Sequence, residues 1–150
     1  MSAVPDAEAL DLRPVENEAA ISACWPVMRQ LRPHLLSDAE FAARWRRQAA
    51  SGYRLVALWR GGRPVALAGF RVQENLVYGP HLYVDDLVTD EAARGGGHGA
   101  RLIAWLAEEG RRLGCARLVL DTPLTNVLGH RFYYRCGLLA TALRFGLPLA

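Results

Sequence analysis

Arg94, Gly95, Gly96, Gly97, His98, Gly99 and Ala100 make up the stretch with the clearest chemical capacity in this 150-residue chain. Glycine carries no Cβ, so the backbone there can come close to a ligand. Helical periodicity sets in at His98, and a helix start offers unpaired N–H groups and the positive end of its dipole. Arg94 adds a fixed cation with a forked donor pattern. Together these suit a phosphate or pyrophosphate. A second candidate, the pair Asp85-Asp86, lies just upstream in a run of extended-favouring residues (Tyr83, Val84, Leu87, Val88, Thr89). Alternation along a strand sends adjacent side chains to opposite faces, so only one of these carboxylates faces a common site unless a bulge re-aims the chain.

The elements that must position these groups follow from periodicity. Residues 1–9 carry no pattern and read as a flexible tail, leaving 10–150 as a single domain with no repeat or linker. Leu10 to Val15 alternates as a short strand. Ala20, Ile21, Cys24, Trp25, Met28 and Leu31 recur at three- and four-residue spacing, which predicts a helix with Pro26 as a kink or a start. Ser37-Asp38-Ala39-Glu40 announces a second helix with a serine cap, ending before Gly52. Tyr53–Trp59 and Pro64–Gln73 flank a glycine turn and predict a hairpin, extended into a meander by 81–89. A helix over 98–114 and the apolar strand Cys115–Asp121 predict a right-handed parallel crossover. A last helix over Thr125–Cys136 and one or two final strands within 138–149 complete the chain.

Composition excludes more than it assigns. The net charge is +3, but all 18 basic residues are arginine, alongside abundant alanine, glycine and proline. That pattern fits GC-rich coding, and no basic stripe with interleaved aromatics is present, so nucleic acid is not an expected partner. Cys24, Cys115 and Cys136 have no metal-ligand spacing and read as reduced, buried thiols; no metal is expected. No charged start leads into an apolar run and no apolar run is long enough for a membrane span, so a cytoplasmic protein without membrane association is expected.

The residues then match a known pattern. Arg94-x-x-Gly97-x-Gly99-Ala100 after a strand resembles the first motif of the GNAT acyltransferase superfamily. Asn126-x-x-Gly129-x-x-Phe132-Tyr133-x-x-x-Gly137-Leu138 is similar to its second motif, with Gly129 for the usual Ala and Leu138 for Phe. The dinucleotide fingerprint, the rival reading of a glycine loop, needs an opening parallel βαβ unit and an acidic anchor further on, and neither is present. The resemblance covers nearly the whole chain. It implies an α+β (α/β three-layer) domain with a mixed, mostly antiparallel sheet of six or seven strands. About four helices flank that sheet, and strands 81–89 and 116–121 form a splayed parallel pair.

The same resemblance implies acetyl-CoA as co-substrate. Its pyrophosphate maps onto Arg94, Gly95, Gly96, Gly97, Gly99 and Ala100, its pantetheine arm onto the strand edge at Leu87, Val88 and Thr89, with Asn126 closing the other side. The implied reaction is N-acetyl transfer to a small-molecule or protein amine by direct attack on the thioester. Tyr133 takes the general-acid position, the Val88 N–H donates to the oxyanion, and Asp85, with Asp86 as alternative, serves as a water-mediated base. Either aspartate has a competing structural reading as an arginine partner. Trp25, His34 and His81 are candidates for the acceptor side, and His98, at a variable motif position, reads as solvent-facing. A non-catalytic acyl-CoA-binding sensor or partner domain of the same fold is the alternative function. Family members often dimerise, so a homodimer is among the expected partners.

Overall fold

A computed structural model describes residues 9–150, and the expected tail 1–9 lies outside the described residues except for its last one. The chain divides into a larger unit ending at Val119 and a smaller one, Leu120–Ala150. In the larger unit β1 (Leu10–Val15), β2 (Arg54–Arg60), β3 (Arg63–Asn75) and β4 (Gly79–Thr89) form an antiparallel meander. Alongside β4 runs β5 (Leu118–Leu120), giving the order β1-β2-β3-β4-β5. The join is parallel: Ala116 N–H donates to Pro80 O (3.0 Å) and Leu82 N–H to Arg117 O (2.9 Å).

Helices α1 (Glu18–Leu31) and α2 (Asp38–Ala49) follow β1, and α3 (His98–Arg112) links β4 to β5. Asn17 caps α1 and Ser37 caps α2, each accepting from the amide three residues on. Pro26 sits inside α1, which continues through it to Leu31. Ile21, Cys24 and Met28 of α1 pack with Phe41, Leu55, Ala57 and Leu67 in the core. The other side of β2 and β3 is also buried, which explains why Val56, Leu58, Ala66 and Ala68 break simple alternation. On α3 the buried residues are His98, Leu102, Ile103, Leu106 and Gly110. Burial pushes the Cys24 thiol up to about 12, as expected of an inert core cysteine. Cys115 and Cys136 are free but only partly buried.

The smaller unit holds α4 (Val127–Arg135), capped by Asn126. Its remaining residues correct one expectation. The described residues form a five-stranded sheet, not six or seven strands, and 138–149 contains none. A strand exists only through ladder partners, and here the apolar side chains Leu143, Phe145 and Leu149 stand exposed. Local β propensity without a partner is insufficient.

Candidate functional site

A bulge in β4 sets the geometry. Gly69 of β3 faces Asp86 while Phe70 faces Val84, so Asp85 is the extra residue on its strand. The bulge overrides simple alternation and brings both carboxylates to one polar cluster. Asp86 Oδ1 accepts from Arg32 Nε at 2.9 Å, and Asp86 Oδ2 accepts from the Tyr53 hydroxyl at 2.7 Å. Arg32 Nη2 also donates to the Asp85 carbonyl at 2.8 Å. Asp85 Oδ2 accepts from Arg71 Nε at 3.0 Å, and Arg71 in turn reaches Gln48 of α2 and lies over the Tyr53 ring.

Gly69 has a steric role in this cluster. A Cβ built there would fall on the Tyr53 hydroxyl and come 2.7 Å from Asp86 Oδ2. Glycine inside a strand is the one local signal of such a close approach. Arg32 and Tyr53 carry no comparable mark, because they lie 54 and 33 residues from Asp86.

The cluster also has defined electrostatics. Burial holds the Asp85 carboxyl above its ordinary value and the neighbouring Asp86 charge adds to this, against the opposing pull of Arg71. Tyr53 is pushed well above the usual phenol range, first by burial and then by the Asp86 charge. Its hydroxyl is therefore a donor at neutral pH. Both Asp86 oxygens are committed, whereas Asp85 engages Arg71 through Oδ2 alone.

Past the bulge, β4 presents an open edge. The parallel register carries Val119 to about Tyr83 and β5 ends one residue later, so Leu87, Val88 and Thr89 extend beyond it. Backbone parity then corrects one expectation. Asp90 N–H donates to Val65 O at 2.8 Å, and the register places Val88 opposite Leu67. The alternation of an antiparallel ladder therefore turns the Val88 N–H toward β3. The backbone groups of Leu87 and Thr89 face the open edge instead.

The strand leads through a 3-10 turn at Glu91–Ala93 into the glycine loop. Gly95 (φ 84°) and Gly97 (φ 78°) adopt left-handed conformations, and Gly97 begins α3 with no side-chain cap. A Cβ at either would meet nothing within 4 Å, so the loop surface there is open. Arg94 is exposed at its rim. His98 departs from its expected solvent-facing role: it is 5% exposed, and its ring fills the space beside Gly96, where a Cβ would lie 2.8 Å from Nε2. Burial, followed by the charges of Arg60 and Arg101, lowers its pKa and keeps the imidazole neutral.

The remaining candidates are dispersed. His81 is 3% exposed, bonded to Gly79 O and packed on Tyr78 at the opposite end of β4. His34 is exposed in the α1–α2 turn. Trp25 stacks on Phe41 and lines a cavity of about 220 Å³ with Arg29, Pro33, Leu35 and Leu36.

In the smaller unit, Asn126 Oδ1 accepts from Gly129 N–H (3.1 Å) and its Nδ2 donates to Thr122 Oγ1 (3.0 Å). A Cβ at residue 129 would come within 2.7 Å of Asn126 Cγ, which explains glycine at this motif position. Burial, then Cys136, raises the Tyr133 phenol and keeps it protonated. Among the described residues no group of three His, Cys, Asp or Glu could hold a metal ion, and no helix is long and apolar enough to cross a membrane.

Residues 17–138 match the acetyltransferase (GNAT) family. The chain is 32% identical to glucosamine 6-phosphate N-acetyltransferase 1 of Oryza sativa subsp. japonica, over 95% of this chain and 88% of that one. It is 31% identical to aminoglycoside N(6')-acetyltransferase type 1 of Serratia marcescens, over 70% and 76% of the two chains. A solved aminoglycoside N-acetyltransferase in complex with CoA shares the fold at a TM-score of 0.86 and 19% identity, covering 99% of this chain and all of its own.

Proposed function

The chain belongs to the acetyltransferase (GNAT) family and is an acetyltransferase, and from that premise we propose that it moves an acetyl group from acetyl-CoA to a primary amine by direct attack on the thioester. One observation carries the placement of the donor: the open β4 edge runs straight into a glycine loop whose left-handed residues leave its surface clear. Leu87 and Thr89 would pair with the pantetheine arm, following the strand-addition logic of free sheet edges. Arg94, Gly95, Gly96, Gly97, Gly99 and Ala100 would hold the pyrophosphate, and Asn126 would flank the arm. Acetyl-CoA supplies the activated acyl group.

The chain's own residues supply the rest. The Leu87 N–H, directed to the open edge, donates to the carbonyl oxygen as it gains negative charge. Asp85 accepts the amine's proton through a water on its Oδ1, the oxygen outside the Arg71 bond. Tyr133 gives its proton to the departing thiolate. Asp86 is not the base in this reading, because Arg32 and Tyr53 occupy both its oxygens. The acceptor's side is framed by Trp25 of α1 and His34 of the α1–α2 turn. Amino sugars are the first acceptors to try, since both relatives named above act on molecules of that kind by name. The exposed apolar run ending at Leu149 supports a homodimer.

A thiol-release assay with an amine panel beginning with glucosamine 6-phosphate and an aminoglycoside tests the reading. Amine-dependent release is expected. Acetyl-CoA binding without release for any amine would leave the sensor reading in its place.

A further inference from the structure

The C-terminal end of α1, with its capping residue Arg32, touches the proposed donor strand at two points, one on each side of Leu87–Thr89. Before the segment, Arg32 spans the bulge, donating from Nε to Asp86 Oδ1 and from Nη2 to the Asp85 carbonyl. After it, Gln30 Nε2 donates to Asp90 Oδ1 at 3.0 Å while its Oε1 accepts from the Glu91 N–H at 2.9 Å. The second Gln30 Nε2 proton goes to the Pro26 carbonyl at 3.2 Å. That carbonyl lies one turn back in the same helix. Every proton of this exposed amide is thus used, which fixes its orientation. Arg32 is fixed in a similar way, since a forked guanidinium bonded to a side chain and a carbonyl has little freedom.

We propose that Gln30 and Arg32 form a two-point clamp that positions Leu87–Thr89 for acetyl-CoA, an inference that rests on the assignment of this segment to the donor. Both are positioning residues, acting through the β4 backbone. The bulge makes such a clamp necessary. An extra residue in β4 interrupts the ladder at Asp85, and past β5 the strand has a ladder neighbour on one side only among the described residues. Tyr53 secures the same carboxylate from the sheet side, so Asp86 is held between two elements. A consequence is that the α1–α2 turn and the donor strand move together.

Two measurements on the full-length chain decide the matter: hydrogen exchange of the ligand-free protein, and calorimetric titration with acetyl-CoA. Gln30→Ala and Arg32→Ala should each speed exchange at the Val88 and Asp90 amides, which face β3, and weaken acetyl-CoA binding by about 5- to 30-fold, the range for losing one or two charge-assisted or neutral hydrogen bonds. Arg32→Lys, which keeps the cation but not the fork, should recover only part of that affinity. Glu18→Ala, which breaks only the surface pair with Arg46 at the other end of α1, is the control for general loosening and should change neither readout. Unchanged exchange or an unchanged dissociation constant in folded Gln30→Ala and Arg32→Ala proteins would overturn the clamp, as would an equal loss in Glu18→Ala. A native protein that binds acetyl-CoA without acetylating any amine would instead remove the transfer reading and leave the clamp supported by both readouts. A native protein that binds no acetyl-CoA would overturn both.

Discussion

At the scale of single residues, the proposed chemistry depends on how two adjacent aspartates are made unequal. Asp86 is locked by Arg32 and Tyr53, whereas Asp85 keeps one oxygen outside its bond to Arg71. Asp85→Asn should therefore remove the acidic limb of the rate–pH profile, and Asp86→Asn should leave that limb in place. Arg71 opposes the upward shift that burial imposes on Asp85. A base works only when deprotonated, above its pKa, and losing Arg71 raises that pKa, so Arg71→Gln should move the acidic limb to higher pH; an unmoved limb would exclude Asp85 as the titrating group. Tyr133→Phe should lower turnover by about 10²- to 10⁴-fold, the usual contribution of a general acid. Acetyl-CoA affinity measured by titration should change little, and an unchanged rate would remove Tyr133 from the mechanism.

At the scale of elements, glycines report where two pieces of chain compete for the same space. Gly69→Ala would drive a methyl into the Tyr53 hydroxyl and Asp86, at a cost of about 1–3 kcal/mol typical of overpacking. Denaturant midpoints of the single variant and of Gly69→Ala/Tyr53→Phe should show part of that loss recovered when the hydroxyl is gone. At the start of α3, His98 occupies the space beside Gly96 and has a lowered pKa from burial and from Arg60 and Arg101. Its neutral form contributes stability that is present above its ordinary value of 6.5 and lost as pH falls through the lower folded value. Urea midpoints should consequently fall less steeply with acidification in His98→Gln than in the native chain. The motif marks the position of His98 but says nothing of its environment, which the turn at Gly97 creates by folding the ring back under the loop.

At the scale of the whole molecule, the smaller unit is shorter than the ~40 residues at which chains usually fold alone. Phe145 within it is 90% exposed. A dimer is expected by light scattering, with Phe145→Asp giving a monomer; a monomeric native protein would exclude the dimer. Elements with strong local signals were legible from residue types alone. The capped helices, the hairpin at Gly61-Gly62, the crossover helix and the glycine loop all carry caps, periodicity or turn chemistry within a few residues, and such short-range physics is complete in the sequence. The bulge was legible only as a condition for two neighbouring aspartates to share a site. Its presence, the parity that turns Val88 toward β3, and the partners Arg32, Tyr53, Gln30 and Arg71 were decided by tertiary structure. These depend on the register between β3 and β4 and on contacts across 14 to 61 residues of chain, and no local propensity encodes either. The expected final strands failed for the same reason, because a strand is a relation between two segments and 138–149 has no ladder partner in the described chain.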